Sequence, residues 1–175
     1  VFFDRDGVVN VSPGGGYVLR LEDFHLSPGI VDALRTCKRL GYATVVVTSQ
    51  QGVGKGLMTR AALDEIHYWM QTRLGEHQAA FDGIYACTCL ASDPRCTCRK
   101  PSPEMILQAA GDLDLDLARG ALVGDHDRDI QMAINAGVPV TIRITGPHHT
   151  QVPATHTLDD TTSLAQLLGQ ILPPL

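Results

Sequence analysis

Two aspartates stand two residues apart near the start of the chain, in Val1-Phe2-Phe3-Asp4-Arg5-Asp6-Gly7. Along an extended backbone, alternation sends Asp4 and Asp6 to the same side. Two carboxylates that close repel, so in a pocket they require a cation or a shared proton. A solvated Asp-x-Asp-Gly turn is the plain alternative for the tetrapeptide taken alone. Three further polar groups interrupt apolar surroundings. Thr48-Ser49 closes the run Ala43 to Val47 and is followed by Gly52, Gly54 and Gly56; Lys100 follows Arg99; Asp125 and Asp129 follow Ala121-Leu122-Val123-Gly124. Hydroxyls at a strand end, then glycines, offer side-chain and backbone donors to an anion. The NTPase phosphate loop is excluded by spacing, because Lys55 precedes Gly56 where a Ser or Thr is required and Ser49 occupies the earlier glycine position.

The elements that must position these groups follow from periodicity. The apolar run at Val1 to Phe3 reads as the end of a buried strand, and Ala43 to Val47 as a central parallel strand, too uniformly apolar to be half exposed. Phe81 to Ala86, Ala121 to Val123 and Val138 to Ile144 supply three more strands. Helices are expected from Leu26-Ser-Pro-Gly29 to Leu40, from Arg60 to Leu74 with Thr59 as cap, from Pro101 to Ala110, from Ile130 to Ala136 and from Thr162 to Ile171. Ile66, Trp69 and Met70 are assigned to the core, Cys37 to a buried apolar face, and His67 to the surface. The glycine-rich stretch Ser12 to Tyr17 is either a substrate-contacting loop or a connector, and His148-His149 lie in a solvent-exposed loop. Alternating strands and helices give a doubly wound α/β parallel sheet, in which ligands sit at the C-terminal strand ends. Each of the polar groups above falls at such an end or at a helix start.

Bulk properties narrow the partners. At 175 residues, 44% of them hydrophobic and 19% charged, the chain has the make-up of one folded domain spanning 1–175 and not of a disordered segment. The net charge of −5 argues against a nucleic-acid backbone as the main partner, while leaving room for a local phosphate pocket. No apolar run approaches a membrane span and no signal peptide is visible, so a cytoplasmic monomer is expected.

In order and spacing, Asp4-Arg5-Asp6-Gly7, Thr48, Lys100 and Gly124-Asp125-x-x-x-Asp129 resemble the four motifs of the haloacid dehalogenase (HAD) superfamily of phosphohydrolases. The resemblance implies Asp4 as a nucleophile forming an aspartyl phosphate and Asp6 as general acid/base. It implies Mg²⁺ on the Asp4 carboxylate, the Asp6 carbonyl and Asp125, phosphoryl contacts from Thr48 and Lys100, and Asp129 in support of Lys100 or the metal shell. Phosphoryl transfer fits these residue types, since a carboxylate approaches a phosphate dianion only with cations between them. A loop, a helix and a strand use up the chain from Asp4 to Thr48, and a helix, a strand and the cysteines that from Thr48 to Lys100, so no cap domain is expected.

Four of the five cysteines are packed as Cys87-Thr-Cys89 and Cys96-Thr-Cys98, directly before Arg99-Lys100-Pro101. The pattern is similar to a zinc-bearing branch of the superfamily that holds heptose-bisphosphate and histidinol-phosphate phosphatases, although Cys89 stands where a histidine is usual. The resemblance implies a structural Zn²⁺ on Cys87, Cys89, Cys96 and Cys98, in a loop of about 87–98, with disulfides as the other chemistry open to them. Gly16-Tyr17-Val18 and Gln50-x-Gly52 with Gly54-x-Gly56 after Thr48 point to the heptose substrate, and the short cysteine loop to histidinol phosphate. Ser49 and His126 depart from the branch's usual residues, at positions that bear on substrate choice. Ser49 and Arg99 are expected at the substrate. A nucleic-acid 3′-phosphatase and a non-catalytic zinc-stabilised module are the remaining alternatives; an unbroken motif set speaks against the second.

Overall fold

A computed structural model of the chain describes residues 1–146 and 150–175, so that His148 and His149 lie outside the described residues. Its centre is a six-stranded sheet: β1 (Phe2–Phe3), β2 (Val45–Ser49), β3 (Gly83–Cys87), β4 (Ala121–Gly124), β5 (Val140–Ile144) and β6 (His156–Leu158). The order is β3-β2-β1-β4-β5-β6 and every pairing is parallel. β1 is the shortest strand and the central one, paired with β2 through Phe2↔Val45 and with β4 through Phe2↔Leu122. The order reverses at β1, which opens a crevice at its C-terminal end.

Period-two alternation in these strands feeds two separate cores. Phe3, Val46, Val123 and Ile142 point to one face, where they meet α1 (Ile30–Arg39), α3 (Arg60–Gly75) and α6 (Leu164–Ile171). Phe2, Val45, Val47 and Leu122 point to the other, against α4 (Glu104–Leu113) and α5 (Asp127–Asn135). Burial on both sides explains why the central strands are uninterrupted apolar runs. With helices occupying both faces, the strand ends are where polar groups can gather. Among the described residues, no helix is long and apolar enough to cross a membrane.

Several expected boundaries move. The second strand runs Val45–Ser49, not Ala43 to Val47, because its ladder with β3 continues through Thr48↔Ala86 and Ser49↔Cys87. A one-turn helix, α2 (Gln51–Gly54), follows it inside what reads as a glycine-rich loop, and β6 is a three-residue edge strand too short to show a period. His67, expected on the surface, is buried: it lies one helical turn beyond Leu63 on the core-facing stripe of α3.

Candidate active site

The crevice at the end of β1 collects the acidic residues. Asp4 extends the strand by one ladder bond, its N–H donating to Val123 O at 2.9 Å. The chain then folds back so tightly that the Arg5 carbonyl accepts from the amides of Val8, Val9 and Asn10. Gly7 makes this turn with φ of 90°, and a Cβ there would run into the Asp125 carboxylate, so glycine is needed both for the conformation and for the close approach. Asp125 follows β4, and Asp129 lies in the first turn of α5, where its Oδ2 accepts from the His126 amide at 2.9 Å and caps the helix. Lys100 precedes α4 and is almost fully buried; its Nζ sits 2.7 Å from both Asp4 Oδ1 and Asp129 Oδ1.

Charge in this cluster is unbalanced. Carboxylate oxygens of Asp4, Asp125 and Asp129 all lie within 4.8 Å of one another, with one lysine among them. Burial pushes Asp4 up to about 6 despite Lys100. Burial, then the charges of Asp4 and Asp129, push Asp125 up to about 8. Burial also works to raise Asp129, but Lys100 and the His126 amide outweigh it and hold that carboxyl below its ordinary range. Asp125 Oδ1 is buried and has no hydrogen-bond partner among the described residues. Hard oxygen ligands, excess negative charge and an orphaned carboxylate oxygen fit a small divalent cation such as Mg²⁺.

Asp6 lines the same crevice, together with Asp4, Ser49, Asp125, His126 and the loop that carries Ser12 and Tyr17. Its carboxylate is gripped from two sides. Arg5 donates to it from Nε at 3.2 Å and from Nη2 at 3.0 and 3.2 Å, and Gln50 Nε2 donates to Oδ2 at 3.0 Å. Gln50 also donates to Thr48 Oγ1 at 2.8 Å, which ties the end of β2 to the end of β1. Ser49 Oγ is buried without a partner and faces the same crevice. A wider groove on the outer side of α1, against Asp32, Arg35 and Gln78, holds none of these groups.

Asp4, Asp6, Ser49, Asp125 and His126 thus line one crevice, with Thr48, Lys100 and Asp129 tied to them, and the cysteines form a second cluster. Arg99 is half-buried, and with its amide oriented to suit its neighbours Gln51 accepts from Arg99 Nη1 at 3.0 Å while donating to Tyr17 Oη at 3.3 Å. Gln51 therefore joins the loops after β1, β2 and β3. Arg5, Gln50, Gln51 and His67 were not legible as site residues. A polar residue directly after a strand-end hydroxyl was the one available signal, and it pointed only to Gln50.

The four sulfurs of Cys87, Cys89, Cys96 and Cys98 also lie within 4.8 Å of one another. Cys87–Cys96, Cys89–Cys98 and Cys96–Cys98 are separated by 3.6, 3.7 and 3.8 Å. Tetrahedral thiolates about a zinc ion have edges of about 3.8 Å, so the set fits a closed zinc site. Cys87 and Cys98 also stand in disulfide contact, the other chemistry such a cluster can adopt. The loop leans on α2, where a Cβ on Gly54 would collide with Thr88 O and crowd the backbone of Cys89 and Leu90.

Comparison with known proteins agrees with this geometry. Residues 97–163 match the model of the HAD-hydrolase-like family. The chain is 37% identical over 155 residues to D-glycero-β-D-manno-heptose-1,7-bisphosphate 7-phosphatase of Yersinia pestis, covering 84% of this chain and 81% of the relative. It is 33% identical over 180 positions to the Haemophilus influenzae protein of the same name, covering 98% of this chain and 97% of that one. The crystal structure of D,D-heptose 1,7-bisphosphate phosphatase from B. bronchiseptica, complexed with magnesium and phosphate, superposes with a TM-score of 0.88 over 97% of both chains at 32% identity.

Proposed function

We propose, from its membership of the HAD-like hydrolases and of the heptose-1,7-bisphosphate 7-phosphatase family within them, that this chain, which plainly belongs to that family, removes a phosphate from such a sugar through a phosphorylated Asp4. The observation that carries the reading is Lys100, buried and 2.7 Å from Asp4 and from Asp129, beside an Asp125 oxygen without a hydrogen-bond partner among the described residues. Such a pocket is short of positive charge until a cation enters it, and with the cation in place it can take a phosphate.

In the proposed reaction an Asp4 carboxylate oxygen attacks phosphorus as the bond to the sugar oxygen breaks, and the Asp6 carboxyl gives its proton to the departing alkoxide. Water then attacks the same phosphorus, Asp6 takes the water's proton, and the bond to Asp4 breaks to release phosphate and restore the site. Lys100 and Thr48 hold the phosphoryl oxygens, and Asp129 keeps Lys100 charged and in place: burial works against the ammonium, but the two carboxylates raise its pKa above the ordinary value. Mg²⁺, held by Asp4, the Asp6 carbonyl and Asp125, would supply the charge that lets phosphate approach a carboxylate. Ser49, which lines the crevice, and Arg99, which contacts Gln51, would meet the remainder of the substrate, with His126 on the crevice wall.

Zinc on the four cysteines is assigned a structural role. Residues 88–103 contain no helix or strand, and Arg99 and Lys100 follow Cys98 directly, so whatever fixes the sulfurs fixes both cations. Thiolate ligation of this kind fits a reducing compartment, which supports the cytoplasm. All the site residues come from one chain, so a monomer suffices.

The test is Mg²⁺-dependent phosphate release from heptose 1,7-bisphosphate, histidinol phosphate and a 3′-phosphorylated oligonucleotide, measured side by side. The bisphosphate should give the highest kcat/KM. Preference for histidinol phosphate would move the substrate assignment within the family, and failure on all three would overturn the reading.

A further inference from the structure

Arg5 lies between the two catalytic aspartates in sequence, yet it is fully buried. Its guanidinium turns inward over the Phe24 ring, 5.8 Å from the centroid, and its Nε and Nη2 both serve Asp6. The remaining nitrogen, Nη1, lies 3.2 Å from His67 Nε2. A buried guanidinium is stable only when its donors are matched, and here the match comes from a helix 62 residues further along the chain. Arginine can only donate, so His67 Nε2 is the acceptor and the imidazole proton sits on Nδ1. Burial, then the charge of Arg5, hold this histidine at about 4, so the ring stays a neutral acceptor at working pH. Asp6 is therefore clamped between Gln50 on one side and an arginine on the other, and His67 accepts from the far end of that arginine.

We propose that His67 is a positioning residue for proton transfer: by accepting from Arg5 Nη1 it fixes the guanidinium that sets the orientation of the Asp6 carboxyl. The inference rests on the assignment of Asp6 as general acid. It goes beyond that assignment by making acid catalysis depend on a helix outside the phosphate pocket. The consequence is selective. A sugar alkoxide leaves only as it is protonated, whereas the phenolate of p-nitrophenyl phosphate is stable without a proton, so poor placement of Asp6 penalises the first substrate far more than the second.

The experiment compares kcat/KM, which reports the steps up to leaving-group departure, for heptose bisphosphate and p-nitrophenyl phosphate in the unaltered chain, His67→Leu and His67→Gln. His67→Leu, which leaves Arg5 Nη1 without an acceptor, should lose about tenfold more on the sugar phosphate than on the aryl phosphate. His67→Gln, whose amide oxygen can accept from Arg5, should close most of that gap. Equal losses on the two substrates, or no loss, overturn the inference while an active unaltered chain leaves the proposed function standing. An unaltered chain inactive on both substrates overturns the proposed function and the inference together. Should His67→Leu not fold, His67→Asn, too short to reach Arg5, is read against the same outcomes.

Discussion

Two clusters of anionic ligands sit side by side at the C-terminal end of the sheet, and they are held in opposite ways. Asp4, Asp125 and Asp129 are buried on the end of a strand, the end of another and the first turn of a helix. Their own lysine offsets part of their charge, so packing supplies the geometry and a metal would supply only chemistry. The cysteines are partly exposed, apart from Cys87, on a stretch with no regular structure, and the nearby Arg95 is engaged with Asp93. A few turn hydrogen bonds and packing on α2 support that shape, and a sulfur-bound ion or a covalent bond would lock it. In the proposed reading, one cluster is a tool on a rigid mount and the other is itself the mount for Arg99 and Lys100.

Asp4→Asn should break the chemistry and spare the mount, lowering kcat by at least about 10⁴-fold in steady-state phosphate release. Because Asp4 is a buried carboxyl already pushed toward its neutral form, the same variant should melt no lower than the unaltered chain without Mg²⁺. Near-normal turnover would end the nucleophile assignment. Stripping zinc with a high-affinity chelator should do the reverse, lowering Tm by roughly 10 °C or more, where leaving out Mg²⁺ stops turnover with little change in unfolding. Elemental analysis should find about one zinc per chain; if it finds none, the two clusters do not differ in the way described.

Lys100→Met sharpens the contrast from the acidic side. It strands Asp4 and Asp129 without a counter-charge and should destabilise the fold by about 3 kcal/mol at neutral pH, less in acid where a proton can replace the lysine. Denaturant titration at two pH values reads both. The smallest effect concerns pH. Folded values of about 6 for Asp4 and about 8 for Asp125 lie above those of unfolded carboxylates. The folded chain therefore binds extra protons, and the stability they lend is complete below the ordinary carboxylate range and lost as pH rises through those values. Mg²⁺ competes with the same protons, so the rise in Tm it produces should grow by a few degrees between about pH 5 and pH 8. His67 titrates with the opposite sign, losing stability as pH falls, but it contributes equally with and without Mg²⁺ and cancels in the difference. A metal effect independent of pH would remove these carboxylates from the binding site.

Asp4, Thr48, Lys100 and Asp125 were legible because each is a polar residue at a boundary between an apolar run and a turn, where periodicity fails visibly. The sheet was legible for the same reason, since strands buried on both faces leave no other reading of Val45 to Val47 or Ala121 to Val123. Arg5 and His67 were hidden because their roles exist only in each other's company. An arginine between two aspartates reads as a solvated charge, and a histidine on an amphipathic helix reads as surface, until the fold brings α3 beneath the loop after β1. Gln51 was hidden by the glycines of α2, which mask a helical turn. The thiol cluster was visible as a pattern, but spacing alone does not distinguish a metal tetrahedron from a disulfide.

The position of β1 in the sheet has a consequence for how the protein comes into being. Asp4 precedes every segment that its strand pairs with: β2, some 40 residues further along, and β4, which begins at Ala121. Lys100 lies between those two segments, and Asp125 and Asp129 follow the second. A nascent chain that has not yet released residue 129 into solution carries the attacking group with no means of using it. On the proposed mechanism, a truncated product ending before α5 would lack Asp129 and the support it gives Lys100, and is expected to be inert.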